Sequence, residues 1–114
     1  MHLTRLASVA AVLLIAGVIA FTAVKSVAAA APAALTVRID NFTFSPPEIT
    51  IASGTAVTWE NRDDIPHEVV AEDKAFRSKV LDTDESYTFT FTSPGIYEYF
   101  CALHPHMKGK VIVK

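Results

Sequence analysis

The chain has 114 residues, of which 51% are hydrophobic, and it carries 10 Lys+Arg against 12 Asp+Glu for a formal net charge of −2 at pH 7. This length fits one ordinary domain with a real core. The mildly acidic balance argues against nucleic acid as a partner, because nucleic-acid-binding domains present a basic surface.

The N-terminal segment has the pattern of an export signal. Residues 6–24 carry no charge, Arg5 precedes them, and Lys25 and a run of small residues follow. A basic start, an apolar centre and A-x-A-like cleavage options are typical of a secretory signal peptide. We therefore predict a signal peptide over residues 1–28 and an Ala/Pro linker over residues 29–34. The alternative is a retained anchor at residues 6–24, a stretch just long enough to span a bilayer.

Both interpretations export the same domain, residues 35–114, to the periplasm or another compartment outside the cytoplasm. Cys101 is the only cysteine of the chain. In an oxidising compartment a lone thiol is open to oxidation or to pairing with another molecule. Cys101 is therefore buried and inert, paired with another chain, or bound to a ligand.

After the linker, apolar residues alternate with polar ones, which is the period of β-strands with one buried face. The alternating residues are Leu35, Val37 and Ile39; Ile49 and Ile51; Val57 and Trp59; Tyr87, Phe89 and Phe91; and Val111 and Val113. Turn-forming stretches such as SPPE, ASGT and TSPG separate these runs. Only EDKAFRSKVLD, at residues 72–82, has an ambiguous helical period. The pattern predicts an all-β protein, a Greek-key β-sandwich of about seven or eight strands.

The last part of the chain concentrates reactive side chains. In GIYEYFC, at residues 95–101, the strand period places Tyr97, Tyr99 and Cys101 on one face, which we expect to point inward. His104 and Met107 follow at once, in a C-x2-H-x2-M spacing. A strand end followed by a tight turn brings three side chains with this spacing around one point.

A fourth candidate is His67, which follows Pro66 in an extended segment that can return to the same end of the sandwich. Two histidines, a thiolate and a weak axial methionine define a blue-copper electron-transfer site, whereas zinc seldom recruits a thioether. Taken singly, each of these residues has an ordinary structural explanation. A histidine is more often a surface residue, Met107 could fill a gap in the core, and Cys101 could be a small buried hydrophobic residue. Their conjunction favours the metal site, since the only Cys and Met of the predicted mature chain lie within seven residues of each other, with a His between them.

These motifs resemble the cupredoxins. The similar stretches are PHEVV, GIYEYFCALHPHMKGKVIV and DNFTFSPPEITIASGTAVTWEN, which cover nearly all of the predicted mature chain, and the ligand spacing is similar to that of the amicyanin branch. The resemblance implies one type 1 copper ion, with His67, Cys101 and His104 as strong ligands and Met107 as the weak axial ligand. It also implies that the edge of His104 reaches solvent within an apolar patch on which redox proteins dock. That apolar patch comprises Ile65, Pro66, Leu103 and Pro105.

Two positions depart from the family pattern. Glu68 stands where the family commonly has an asparagine whose side chain ties the two ligand loops together. The resemblance therefore does not determine how the neighbours of the thiolate set the reduction potential. His106 stands where amicyanins carry a phenylalanine in the patch. It is either a tolerated surface substitution, or a pH-sensitive contact or competing metal donor.

Three functions are compatible with this pattern. The first is an exported, monomeric single-electron carrier without enzymatic activity, consistent with the absence of hydrolase motifs such as G-x-S-x-G and H-E-x-x-H. The second is a copper-binding or copper-delivery protein that uses the same ligands. The third is a β-sandwich interaction module in which the thiol is incidental.

Overall fold

The computed structural model describes residues 17–18 and 34–114. The predicted signal peptide, the alternative anchor and the linker lie almost wholly outside these residues, and they stay predictions. Across the described ranges, no helix combines the length and apolar character that crossing a membrane requires.

Eight strands form two four-stranded sheets in the described part of the chain. The strands are β1 (Leu35–Asp40), β2 (Thr43–Ser45), β3 (Glu48–Ile51), β4 (Thr55–Asn61), β5 (Val69–Ala71), β6 (Ser86–Phe91), β7 (Gly95–Cys101) and β8 (His104–Val113). The sheets have the orders β2-β1-β4-β6 and β3-β8-β7-β5. β1 pairs with β4 and β3 with β8 in parallel, whereas the remaining pairs are antiparallel. The chain crosses repeatedly between the two sheets, and the predicted all-β sandwich is confirmed.

The core lies between the sheets, on the faces that the period-two pattern predicts, except that Leu35 at the start of β1 is 38% exposed. Val37, Ile39, Val57 and Trp59 are all fully buried. Trp59 packs edge-to-face against Tyr99 of the opposite sheet, with ring centroids 5.3 Å apart. Burying a large apolar side chain contributes about 1.5–3 kcal/mol, so this layer rather than surface ion pairs holds the sheets together.

The connection between β5 and β6 is irregular. Residues 72–82, whose helical period is ambiguous in the sequence, contain no helix. Phe76 and Leu81 are buried, and isolated bridges join Arg77 to Val70 and Leu81 to His67. The segment therefore covers one end of the core and is hydrogen-bonded to the backbone of a candidate ligand.

A strained two-residue turn joins β1 to β2. Asn41 and Phe42 have φ of 49° and 57°, between the paired residues Asp40 and Thr43. Two left-handed residues match the twist of a hairpin, but the second position favours glycine. A phenylalanine there costs about 1–2 kcal/mol, so contacts outside the turn must hold Phe42 in place.

Candidate metal centre

The hairpin between β7 and β8 brings Cys101 and His104 side by side. The turn has only two residues, 102 and 103, and Cys101 pairs with His104 across it. His104 therefore begins a strand, whereas the sequence suggested a ligand loop. This pairing fixes the separation of the two backbones where β7 ends and β8 begins.

A bulge next to this pair presents Met107 to the interior. Phe100 pairs with Lys108 although Cys101 pairs with His104, so residues 105–107 have no partners on β7. Met107 is only 5% exposed, whereas Pro105 and His106 within the same bulge are exposed. Bulges of this kind re-aim side chains at the ends of sheets.

His67 reaches the same end of the sandwich from the segment between β4 and β5. Its N–H donates to the carbonyl of Leu81 at 3.0 Å, and its carbonyl accepts from the N–H of Leu81 at 2.7 Å. Two residues later, Val69 pairs with Cys101 in the β5–β7 ladder. The ladder therefore brings the backbone of His67 next to the end of β7.

These elements place three metal-binding atoms together. The Nδ1 atoms of His67 and His104 lie 3.6 Å and 3.7 Å from Sγ of Cys101, and the three ligand atoms all lie within 4.8 Å of one another. His67 and Cys101 are fully buried, and His104 is half-buried. One side of the group is therefore shielded by the core, and the other reaches the surface through His104.

The spacing of these atoms fits a bound transition-metal ion. Bonds of about 2.3 Å to sulfur and about 2.0 Å to nitrogen, at trigonal angles of about 120°, separate the two atoms by about 3.7 Å. The two observed sulfur-to-nitrogen distances are 3.6 Å and 3.7 Å. With the buried thioether of Met107 on the adjoining bulge, the donors are the soft set that suits copper.

A carboxylate that sequence reasoning missed orients His67. Nε2 of His67 lies 2.9 Å from Oδ2 of Asp63, which leaves Nδ1 facing the thiol. The bond from His67, together with backbone N–H groups of Phe42 and Asp64, lowers the pKa of Asp63 to about 2 from its usual 3.8. Asp63 is therefore charged at neutral pH and accepts a hydrogen bond from Nε2–H of His67. This bond keeps the proton on Nε2, which is the tautomer that ligation through Nδ1 requires.

Glu68 acts through both its backbone and its side chain. Its N–H donates to Sγ of Cys101 at 3.4 Å. Its carboxylate, 9% exposed, accepts a hydrogen bond from Nε of Arg77 at 2.8 Å. Where the family asparagine ties two ligand loops together, this side chain instead binds the connection between β5 and β6. The carboxylate, which is nearly buried, is thereby paired with a cation.

Asn61 is a second residue that sequence reasoning missed. Its side-chain N–H groups donate to the carbonyls of Ile65 and Leu81 at 2.9 Å and 2.8 Å, and its Oδ1 accepts from the N–H of Asp63 at 2.9 Å. The residue is fully buried. Its signal was present in the sequence, because a polar residue continues the inward-facing alternation of Val57 and the tryptophan of β4.

Comparison with known proteins agrees with this geometry. The family model for the cupredoxin-like domain matches residues 12–113. Amicyanin from Paracoccus versutus is 44% identical over 104 residues, which cover 84% of this chain and 78% of the relative. Amicyanin-alpha from Methylorubrum extorquens is 38% identical over 112 residues, covering 87% of this chain and 94% of the relative. A purple cupredoxin from Nitrosopumilus maritimus superposes with a TM-score of 0.68 at 31% identity, over 70% of this chain and 99% of that structure. The chain belongs to the cupredoxin family.

Proposed function

We propose that this protein is a single-electron carrier that binds one type 1 copper ion through His67, Cys101, His104 and Met107. One observation carries the proposal: two imidazole Nδ1 atoms lie 3.6 Å and 3.7 Å from a single thiol sulfur. Two histidines and a cysteine with a weak methionine are the donor set of blue-copper electron-transfer sites. When bound, copper supplies one-electron exchange between Cu(I) and Cu(II).

The role of the protein is to keep these donors in place in both oxidation states. Asp63 holds the ring of His67, and the N–H of Glu68 points at the sulfur of Cys101. Because both restraints come from buried groups of a packed sandwich, the donors rearrange little when the charge of the site changes. This is the requirement of a carrier, and no bond of a substrate has to be made or broken.

We infer that electrons enter and leave through the half-buried His104. Leu103 and Pro105 of the apolar patch flank His104 in the chain, and Pro66 precedes His67; Leu103 is 45% exposed, and both prolines are also exposed. An apolar surface around a redox site suits brief contacts with other redox proteins, because it needs little charge matching. We propose that donor and acceptor proteins use this patch in turn, and that the carrier is a monomer.

We further propose that residues 1–28 export the domain at residues 35–114 to a compartment such as the periplasm, with residues 29–34 as a linker. The pattern of residues 1–28 supports this proposal. A retained segment at residues 6–24 would instead anchor the carrier to the membrane. Mass spectrometry of the mature protein distinguishes the two, since cleavage removes the apolar residues and anchoring keeps them.

The optical spectrum of the copper-loaded protein tests the assigned ligands. We expect an intense visible absorption from charge transfer between the thiolate of Cys101 and Cu(II). Cys101→Ser should abolish this absorption, whereas His106→Gln, a change at an exposed histidine of the same bulge, should keep it. A wild-type protein that binds copper without colour would contradict the proposal.

A chelator experiment separates electron transfer from copper delivery. A carrier retains its metal against a Cu(I)-specific chelator and is reduced and reoxidised rapidly and reversibly. A delivery protein with the same ligands gives up Cu(I) to the chelator within the same time. We expect retention, because His67 and Cys101 are fully buried.

A further inference from the structure

Phe42 lies against both imidazoles of the metal centre. Its ring centroid is 5.0 Å from that of His104 and 5.9 Å from that of His67, with interplanar angles of 89° and 88°. These are edge-to-face contacts, the favoured geometry of aromatic pairs. Phe42 is nevertheless 51% exposed, so much of the ring also faces solvent.

The backbone of Phe42 is held in an unfavourable conformation to make these contacts. Its φ of 57° is left-handed, a region that bulky residues rarely adopt. Its N–H donates to Oδ2 of Asp63 at 3.1 Å, and the same oxygen lies 2.9 Å from Nε2 of His67. One carboxylate oxygen therefore binds both the strained turn and a candidate ligand. Strain that the surroundings maintain in this way is typical of functional positions.

The two histidines are oriented by different means. A hydrogen bond to Asp63 fixes the ring of His67, which is fully buried. For His104, the described part of the chain offers no hydrogen-bond partner to Nε2, and the ring is half-buried. The ring of Phe42 is the nearest aromatic contact of His104, together with His67 at the same centroid distance of 5.0 Å. Packing must orient the exposed imidazole where hydrogen bonding does not.

We propose that Phe42 is a positioning residue that holds the imidazole of His104 in its ligating orientation. In this role it keeps the exposed ligand in one place when the metal is reduced or oxidised, which limits rearrangement during electron transfer. The consequence for electron transfer rests on the proposed function, but the restraint on His104 does not. A half-exposed side chain with a purely structural role would affect folding stability alone.

Three substitutions separate positioning from folding. Phe42→Gly removes the ring and suits the left-handed backbone, so the variant should fold with an unfolding midpoint close to that of the wild type. Phe42→Leu keeps apolar volume without an aromatic face. Phe42→Tyr keeps the aromatic face, and its hydroxyl is accommodated because the ring is half exposed.

The first measurement uses NMR on the metal-free protein. Wild type and Phe42→Tyr should show contacts between the ring protons of residue 42 and His104, and the imidazole of His104 should occupy one rotamer. Phe42→Gly should show an imidazole of His104 that samples several rotamers, while His67 stays ordered. If the imidazole of His104 is as ordered in Phe42→Gly as in the wild type, the proposal is overturned, whatever the outcome of the copper experiments.

The second measurement is the electron self-exchange rate of the copper-loaded proteins. We expect Phe42→Gly to be several-fold slower than wild type with a shifted reduction potential, Phe42→Leu to be intermediate, and Phe42→Tyr to match wild type. Equal rates and potentials for all four proteins would refute the consequence for electron transfer. A wild-type protein without reversible copper redox chemistry would refute the proposed function instead, and the NMR comparison would still decide the role of Phe42.

Discussion

Replacing Asn61 with alanine should destabilise the whole domain and weaken the metal centre at the same time. The buried side chain joins three backbone groups: the carbonyls of Ile65 and Leu81 and the N–H of Asp63. Two of these lie in the segment that leads from β4 to His67, and the third lies on the connection that bridges to His67. Alanine leaves the carbonyl of Ile65 and the N–H of Asp63 without a partner, whereas the carbonyl of Leu81 loses one of its two hydrogen bonds and keeps the one from the N–H of His67.

The expected loss follows from these three hydrogen bonds. Each is 2.8–2.9 Å long, and a buried group left unpaired costs about 1–3 kcal/mol. Taking the low end for each of the two unpaired groups, because the end of a sandwich admits some water, and about 1 kcal/mol for the lost bond to Leu81, gives a loss of about 3 kcal/mol. A domain of this size has a total stability of about 4–12 kcal/mol, so the loss is a large fraction of it. Poorer positioning of His67 should also lower copper affinity by about 10- to 100-fold.

Urea unfolding of the metal-free protein, followed by the fluorescence of Trp59, measures the change. Thr36→Ala, at an exposed position of β1, is the matched control and should leave the midpoint near that of the wild type. Asn61→Asp should be no better than alanine, because it directs a carboxylate oxygen at two carbonyl oxygens. If Asn61→Ala unfolds at the wild-type midpoint with an unchanged slope, the assigned role of the asparagine is wrong.

Three further changes test other parts of the structure. Gly109→Ala places a methyl carbon 2.1 Å from Cζ of Tyr99, and the resulting overpacking should lower the free energy of unfolding by about 1–3 kcal/mol, as measured by urea titration. An unfolding midpoint equal to that of the wild type would show that the ring of Tyr99 moves aside at little cost. Arg77→Gln removes the positive charge that pairs with the carboxylate of Glu68, and this should lower the reduction potential because a less positive surrounding favours Cu(II). Arg77→Lys keeps the charge and should not lower the potential; equal potentials for the wild type and Arg77→Gln would contradict this. Removal of copper with a chelator should lower the urea midpoint, since copper that binds the folded state stabilises that state. An unchanged midpoint would show that copper does not bind the folded state in preference to the unfolded one.

The amino-acid sequence alone indicates six of the eight strands, all but the three-residue β2 and β5, and the chemistry of the site. Alternation of apolar and polar residues identifies the buried faces, because side chains of a strand point to opposite sides with a period of two. Val57 and Trp59 are buried as this rule requires. The donors also lie close together in sequence around Cys101, so their soft character is visible without a structure. His67, the only histidine before Cys101 in the predicted mature chain, then completes the predicted set.

Only the tertiary structure decided how those donors are held. Asp63 looks like an ordinary polar residue after a strand, and for Asn61 the alternation of β4 shows only that it faces inward. The partners of both become apparent only once residues far apart in sequence meet at one end of the sandwich. Phe42 lies 62 positions before His104, as their residue numbers show, and no local pattern connects them. Local propensity and period describe one strand at a time, whereas hydrogen bonds and ring contacts between distant segments depend on how the sheets pack. The sequence therefore determines which atoms can bind the metal, and the packing of the two sheets determines which neighbours orient them.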